Sequence, residues 1–247
     1  MMVLTPPPLG GQLRARTKRL EDNKADILNL NDMLYKYFSY NENSLSLLVN
    51  MELWASQPEK FNDPFDSSFS VNGSEAVRKY LQQKAICCLS ETKKNILMWA
   101  HYANNHTGFC VGYSKQKLNA TGLLEEVNYV DDFPEFSIES LVSNDSKNVR
   151  PPERVRLLTT KYIDWQYERE WRLILELNHG TCQNETIYGK LLKIPSDFVN
   201  SVNFGCKMPR KNMATIRKIL KDLPIQFIEM AMSNDSFELI ETLQGQE

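Results

Sequence analysis

The run Asp164-Trp165-Gln166-Tyr167-Glu168-Arg169-Glu170-Trp171-Arg172-Leu173-Ile174-Leu175 constrains the fold of this chain more than any other. It ends in a β-forming apolar string, which predicts an extended strand with a side-chain period of two. That period places Tyr167, Trp171, Leu173 and Leu175 on one face and Glu168, Glu170 and Arg172 on the other. Two carboxylates and a guanidinium beside a buried aromatic face are costly unless the polar face lines a cleft. The carboxylates repel one another, and Arg172 is placed to hold at least one of them ionised.

The 247 residues suffice for one large domain with a substantial core. With 29 basic against 31 acidic residues the formal net charge is −2, so no global attraction to nucleic acid or anionic membrane is implied. No apolar run approaches the roughly 18–20 residues that span a bilayer. Three prolines interrupt the N-terminal apolar stretch and the basic residues follow it, the reverse of a secretory signal. Residues 1–28 read as a disordered tail, 29–247 as a single domain, and a cytoplasmic location is the default. Five cysteines without regular spacing give no disulfide framework, and Cys87, Cys88 and Cys110 read as small buried hydrophobes.

Along the chain, strands are expected at Leu34–Ser39, Leu53–Ser56, Ala85–Ser90, Phe109–Tyr113 and Leu124–Val130. Helices are expected over Asn41–Met51, Ser74–Lys84, Asn95–His106 (closed by Gly108) and Glu153–Tyr162. After the glutamate-bearing strand come Leu191–Pro195, Val199–Phe204, an amphipathic helix over Arg210–Leu223, and strands at Ile225–Met232 and Phe237–Leu243. Irregular alternation with many short strands predicts an α+β fold with a curved, mixed or antiparallel sheet and several packed helices.

Three segments carry chemistry beside a structural alternative. Phe61-Asn62-Asp63-Pro64-Phe65-Asp66 reads first as a rigid Asx turn. Its functional version turns Asn62 or Asp66 into a cleft shared with Glu170, positioned by buried Phe61 and Phe65. The Ile96–His106 segment holds two of the three histidines. Met98 and Trp99 read as core; His101 and Tyr102 are the ligand-facing candidates, His101 having its structural counterpart in a half-buried histidine. Spacing among His101, His106 and Cys110 matches no standard zinc pattern, so no metal is expected. The cluster Lys207, Arg210, Lys211, Arg217, Lys218 and Lys221 lacks interleaved aromatics, which favours a solvated helix face over a nucleic-acid site.

Leu34-Tyr35-Lys36-Tyr37, the Phe61–Asp66 turn, Met98-Trp99-Ala100-His101-Tyr102-Ala103 with Gly108, and the Trp165–Arg172 run occur in an order that resembles a bacterial family, domain of unknown function 2971. The resemblance spans roughly Leu34 to Leu177 and implies no activity. A second resemblance, to the layout of ADP-ribosyltransferases, implies an NAD-using enzyme, either transferring ADP-ribose or hydrolysing the cofactor, in the manner of a toxin or defence effector. It makes Glu170 the catalytic carboxylate and Glu168 its partner. Tyr35, Lys36 and Tyr37 would then contact the nicotinamide end, with Tyr102 or His101 stacking on it or bonding to it. The opposing expectation is a ligand-sensing or interaction module in which Glu168, Glu170 and Arg172 form a structural ion-pair network. A third, metal-dependent nuclease reading requires Asp66 as an additional carboxylate.

Overall fold

Strand β3 (Lys84–Ser90) is the hub of the sheet, because its sequence Lys-Ala-Ile-Cys-Cys-Leu-Ser can be covered on both faces. It pairs antiparallel with β1 (Met33–Phe38), β2 (Glu52–Ser56) and β8 (Glu170–Glu176). The register sets Tyr35 opposite Ser90, Ser90 opposite Glu170 and Cys88 opposite Arg172. In this computed structural model the described residues are 32–67, 74–136, 152–177, 185–186 and 189–242. The expected tail over 1–28 lies outside them, as do Leu243 and the acidic residues Glu139 and Asp145.

The remaining strands extend both edges. β4 (Phe109–Ser114), β11 (Val199–Phe204), β12 (Gln226–Met232) and β13 (Leu239–Thr242) continue beyond β1, while β10 (Gly189–Lys193) and β9 (Glu185–Thr186) continue beyond β2. β5 (Leu123–Glu126) branches from β8. β11 pairs parallel with β12, while β3 with β1, β2 and β8, β4 with β11, β10 with β2 and β12 with β13 pair antiparallel, so the expected mixed α+β architecture is what forms. The core beneath it draws on Leu34, Leu53, Cys87, Phe109, Leu173 and Phe204, all at most 1% exposed.

Helices begin where the caps predict. Asn41 and Ser44 form a reciprocal capping box for α1 (Glu42–Asn50). Ser74 caps α2 (Glu75–Gln82) and Asn95 caps α3 (Ile96–Tyr102). Downstream are α4 (Lys115–Asn119), α5 (Pro152–Thr159) and α6 (Arg210–Ile219). None of the helices among the described residues is long and apolar enough to cross a membrane.

Four expected boundaries are corrected, each for a local reason. α3 stops at Tyr102 instead of reaching His106, since Asn104, Asn105 and His106 have φ of 46°, 54° and 69°. Asparagine tolerates that region better than most residues, and the turn delivers Gly108 beneath α3, where its N–H donates to the Ala103 carbonyl at 2.8 Å. A Cβ on Gly108 would collide with the Phe38 carbonyl. Gly108→Ala is therefore expected to lower stability by about 1–3 kcal/mol, read from urea unfolding.

α5 ends at Thr159, not Tyr162. The Thr159 and Thr160 hydroxyls donate to the carbonyls of Val155 and Arg156 at 2.8 and 2.7 Å, closing the last turn so that Thr160–Tyr162 leaves as β7. The strand expected over Leu124–Val130 breaks at Val127, whose N–H donates to the Glu170 carbonyl at 2.9 Å. Beyond the break, β6 (Asn128–Val130) joins β7 as a separate parallel pair. Finally, the Asp164–Leu175 strand begins only at Glu170. Ile163–Glu168 forms a 3₁₀ turn that closes on Arg169 at φ 45°.

Candidate functional site

That last correction shapes the site. With a left-handed residue between them, Glu168 and Glu170 are not successive members of one pleat. Strand alternation places only Glu170 and Arg172; Glu168 reaches the same place from the 3₁₀ turn. Tyr167 likewise leaves the Trp171 face, and its ring lies 6.3 Å from that of His101. Trp171 is half-buried, its indole N–H donating to Glu91 at 2.8 Å.

Arg172 is fully buried. Its planar fork grips Asp66 with two bonds of 2.6 and 2.9 Å and Glu170 with two of 2.9 and 3.3 Å. A further N–H donates to the Leu158 carbonyl at 2.7 Å, and Phe61 covers the guanidinium at 5.4 Å. The Asx turn presents Asp66: Asp63 Oδ1 accepts from the Phe65 amide at 2.9 Å, and the Asp66 amide donates back to the Asp63 carbonyl at 3.2 Å.

Lys161, on β7, is the centre of the cluster. Its Nζ lies 2.6 Å from Glu168 Oε2, 3.0 Å from Glu170 Oε2 and 3.7 Å from Asp66 Oδ2, with every partner at most 5% exposed. β6 supports this arrangement: Tyr129 sits opposite Lys161, and its hydroxyl accepts the Glu170 amide at 2.9 Å. Glu168 Oε1 accepts the Tyr102 hydroxyl at 2.6 Å, and Asn62 donates to that same hydroxyl at 3.2 Å.

Three carboxylates thus share two cations in a water-poor setting, and the proton affinities of the two glutamates separate. Burial works to raise the Glu170 carboxyl, but Arg172 and then Lys161 outweigh it and hold it well below the ordinary range. Burial raises Glu168 despite Lys161, with the Glu170 charge pushing the same way. Burial would lower Lys161; Glu170, Glu168 and Asp66 together reverse this and hold it above its ordinary value.

The linkage has opposite signs for the two glutamates. Glu170 contributes stability that is present above the unfolded carboxyl value of ~4.3 and lost as pH falls. Glu168 contributes stability present below that value and lost as pH rises towards its folded one. The melting temperature of Glu168→Gln, relative to wild type, is therefore expected to climb from about pH 4.3 towards neutrality. A flat difference across that window would contradict the raised Glu168.

Above the cluster opens a cavity of about 260 Å³. Tyr35, Lys36, Tyr37, Asn62, Asp66, Tyr102, Glu168 and Glu170 all line it. Their side-chain commitments differ: the Lys36 ammonium donates to the Cys88 carbonyl at 3.1 Å, and the Tyr37 hydroxyl to the Thr92 carbonyl at 2.7 Å. Arg172 lies under the floor and does not line it. His101 does not reach it either; α3 presents Met98 and Tyr102 to the cavity and leaves His101 exposed. Phe65, expected to be buried, is 59% exposed because the turn directs Asp66 inward in its place.

Two lining residues escaped the sequence reading. Lys161 was absorbed into an overlong helix. The signal for it was electrostatic: Asp66, Glu168 and Glu170 cannot all be buried against Arg172 alone. Cys88, expected to be a buried hydrophobe like Cys87 and Cys110, is half-buried and lines the cavity, its thiol pushed up by burial and by Glu170. Asp66 does converge on the glutamates as the nuclease reading required, but Lys161 and Arg172 stand where that reading needs a metal cation. On the opposite side, the basic helix α6 is partly neutralised: Arg210 and Arg217 both reach Glu229, at 2.6 and 3.1 Å.

The mixed sheet and packed helices define an α+β protein with a buried ion cluster under a small cavity. Residues 98–173 match the family described as protein of unknown function (DUF2971). The matched stretch carries Tyr102, Lys161, Glu168, Glu170 and Arg172; the expected resemblance over Leu34 to Leu177 is shown for that part of it. No curated protein and no solved structure matches the chain.

Proposed function

We propose that the cavity over Lys161 binds a nucleotide-type small molecule and cleaves an N-glycosidic bond in it, with NAD as the substrate that the ADP-ribosyltransferase layout implies. The observation that carries this reading is the convergence of Glu168, Glu170, Tyr102, Asn62 and Lys36 on one cavity, with the two glutamates held in different protonation regimes. Lys36 offers a positive end to a phosphate-bearing ligand, and the carboxylates offer a negative one.

In this scheme the bond between the ribose and nicotinamide breaks and its electron pair leaves with the ring nitrogen. Glu170, ionised, stabilises the positive charge left on the sugar; a fixed carboxylate in a dry site is worth several kcal/mol there. Water or an acceptor hydroxyl then forms the new bond to the sugar and gives its proton to Glu168, whose raised proton affinity suits a general base. Tyr102 and Asn62 orient Glu168.

The test is nicotinamide release by the purified protein supplied with NAD. Glu168→Gln is expected to slow it about 10²–10⁴-fold without unfolding the protein. No release by the wild type, or an unaffected variant, would remove the enzymatic reading.

One observation favours a second reading, a non-catalytic ligand-binding module. Both oxygens of Glu170 are already engaged, Oε1 by Arg172 and Oε2 by Lys161 and Arg172. In that case Glu170→Gln destabilises the fold, and ligand binds in the cavity without being turned over.

A further inference from the structure

Beside the ion cluster lies a second cavity, of about 280 Å³, whose walls are largely aromatic. Phe65 and Phe133 meet edge to face, 5.8 Å between centroids at 86°, and form one corner. Trp165 and Tyr162 line the same space. Phe65, Phe133 and Tyr162 are 59%, 54% and 47% exposed, more than rings packed only for stability would be.

The charge around these rings is negative. Asp131 and Asp132 line the cavity and are exposed, and Asp63 and Asp66 line it more deeply. Asp66 is already held by Arg172 and Lys161, which leaves Asp63, Asp131 and Asp132 against a lining whose single ammonium, Lys161, is shared with Glu168 and Glu170. Trp165 faces this ammonium at 4.9 Å, so cation–ring pairing is already present in the cavity.

This combination discriminates among ligands. An anion would be repelled by the aspartates. A neutral apolar group would gain from the rings and nothing from the charges. A small inorganic cation holds its water too tightly to exchange it for ring faces. An alkylated ammonium has apolar surface for the rings and a diffuse positive charge for both the rings and the carboxylates.

We propose that this cavity is a binding site for a trimethylammonium-type group, presented either by a small free molecule or by a methylated lysine side chain. The proposal does not rest on the NAD reading: the two cavities share Asp66 and Lys161, but neither Glu168 nor Glu170 lines this one.

Titration calorimetry with choline, its neutral carbon isostere 3,3-dimethylbutan-1-ol, and a short peptide with and without trimethyl-lysine tests it. Choline or the methylated peptide is expected to bind at least about tenfold more tightly than its neutral or unmethylated counterpart. The tighter of the two names the source. Phe133→Ala and the exposed double variant Asp131→Asn/Asp132→Asn are expected to lose that preference while melting as the wild type does. Equal binding of choline and its isostere, absence of binding by both cations, or full retention of the preference in both variants would overturn the proposal.

Discussion

Arg172→Met is expected to cost about 3–5 kcal/mol of folding free energy, because it strands two carboxylates in a place water does not reach. Asp66 and Glu170 are each at most 5% exposed and together occupy both arms of the guanidinium. Equilibrium unfolding in urea reads the loss directly. Arg172→Lys is expected to recover little of it, since one ammonium cannot reproduce a bidentate grip on Asp66 while also reaching Glu170 and the Leu158 carbonyl. A methionine variant as stable as the wild type would mean that Asp66 and Glu170 take up protons or water on losing their partner.

Lys161→Met is expected to have a comparable effect, about 3–5 kcal/mol, through Glu168 and Glu170. Here a double mutant separates stranded charge from lost packing. Adding Glu168→Gln removes one of the carboxylates left without its cation and is expected to restore about 0.5–3 kcal/mol, the range for residues in direct contact. Strict additivity of the two single losses would show that Lys161 matters for its aliphatic stem and not for its charge. The same pair bears on catalysis: if Lys161 sets the split between the glutamates, its loss also shifts the pH profile of nicotinamide release.

The fold was legible where local chemistry decides it. Asn41, Ser74 and Asn95 announced their helices because a side-chain oxygen can satisfy amides only at a helix start. Ala85–Ser90 announced a buried strand because few alternatives bury so continuous an apolar run, and it forms within Lys84–Ser90. The boundaries that misled, at Tyr102, Thr159, Val127 and Arg169, are places where left-handed residues, side-chain bonds to the backbone or a contact distant in sequence redirect the chain. Gly108 under Phe38, Val127 on Glu170, and the Glu91 amide donating to the Arg169 carbonyl at 3.0 Å are invisible to periodicity.

The site divides in the same way. Glu170, Arg172, Tyr102 and Asn62 were candidates from residue type, and the fold gathers them. His101 stays in the expected helix but lies off the Met98–Tyr102 face that lines the cavity. Lys161 was missed because its importance comes from three partners, the farthest of them Asp66, none of which is a helical neighbour.

The position of β3 also governs the order in which the protein can assemble. On the ribosome, its partners β1 and β2 are available early, but β8 emerges much later, and β4 must wait for β11 later still. Chain released or cleaved after the segment resembling the family would carry the complete ion cluster but leave β4, Phe109–Ser114, paired to β1 alone and without β11 on its outer edge. Such an edge recruits other chains. β11 therefore covers the edge that β4 would otherwise present.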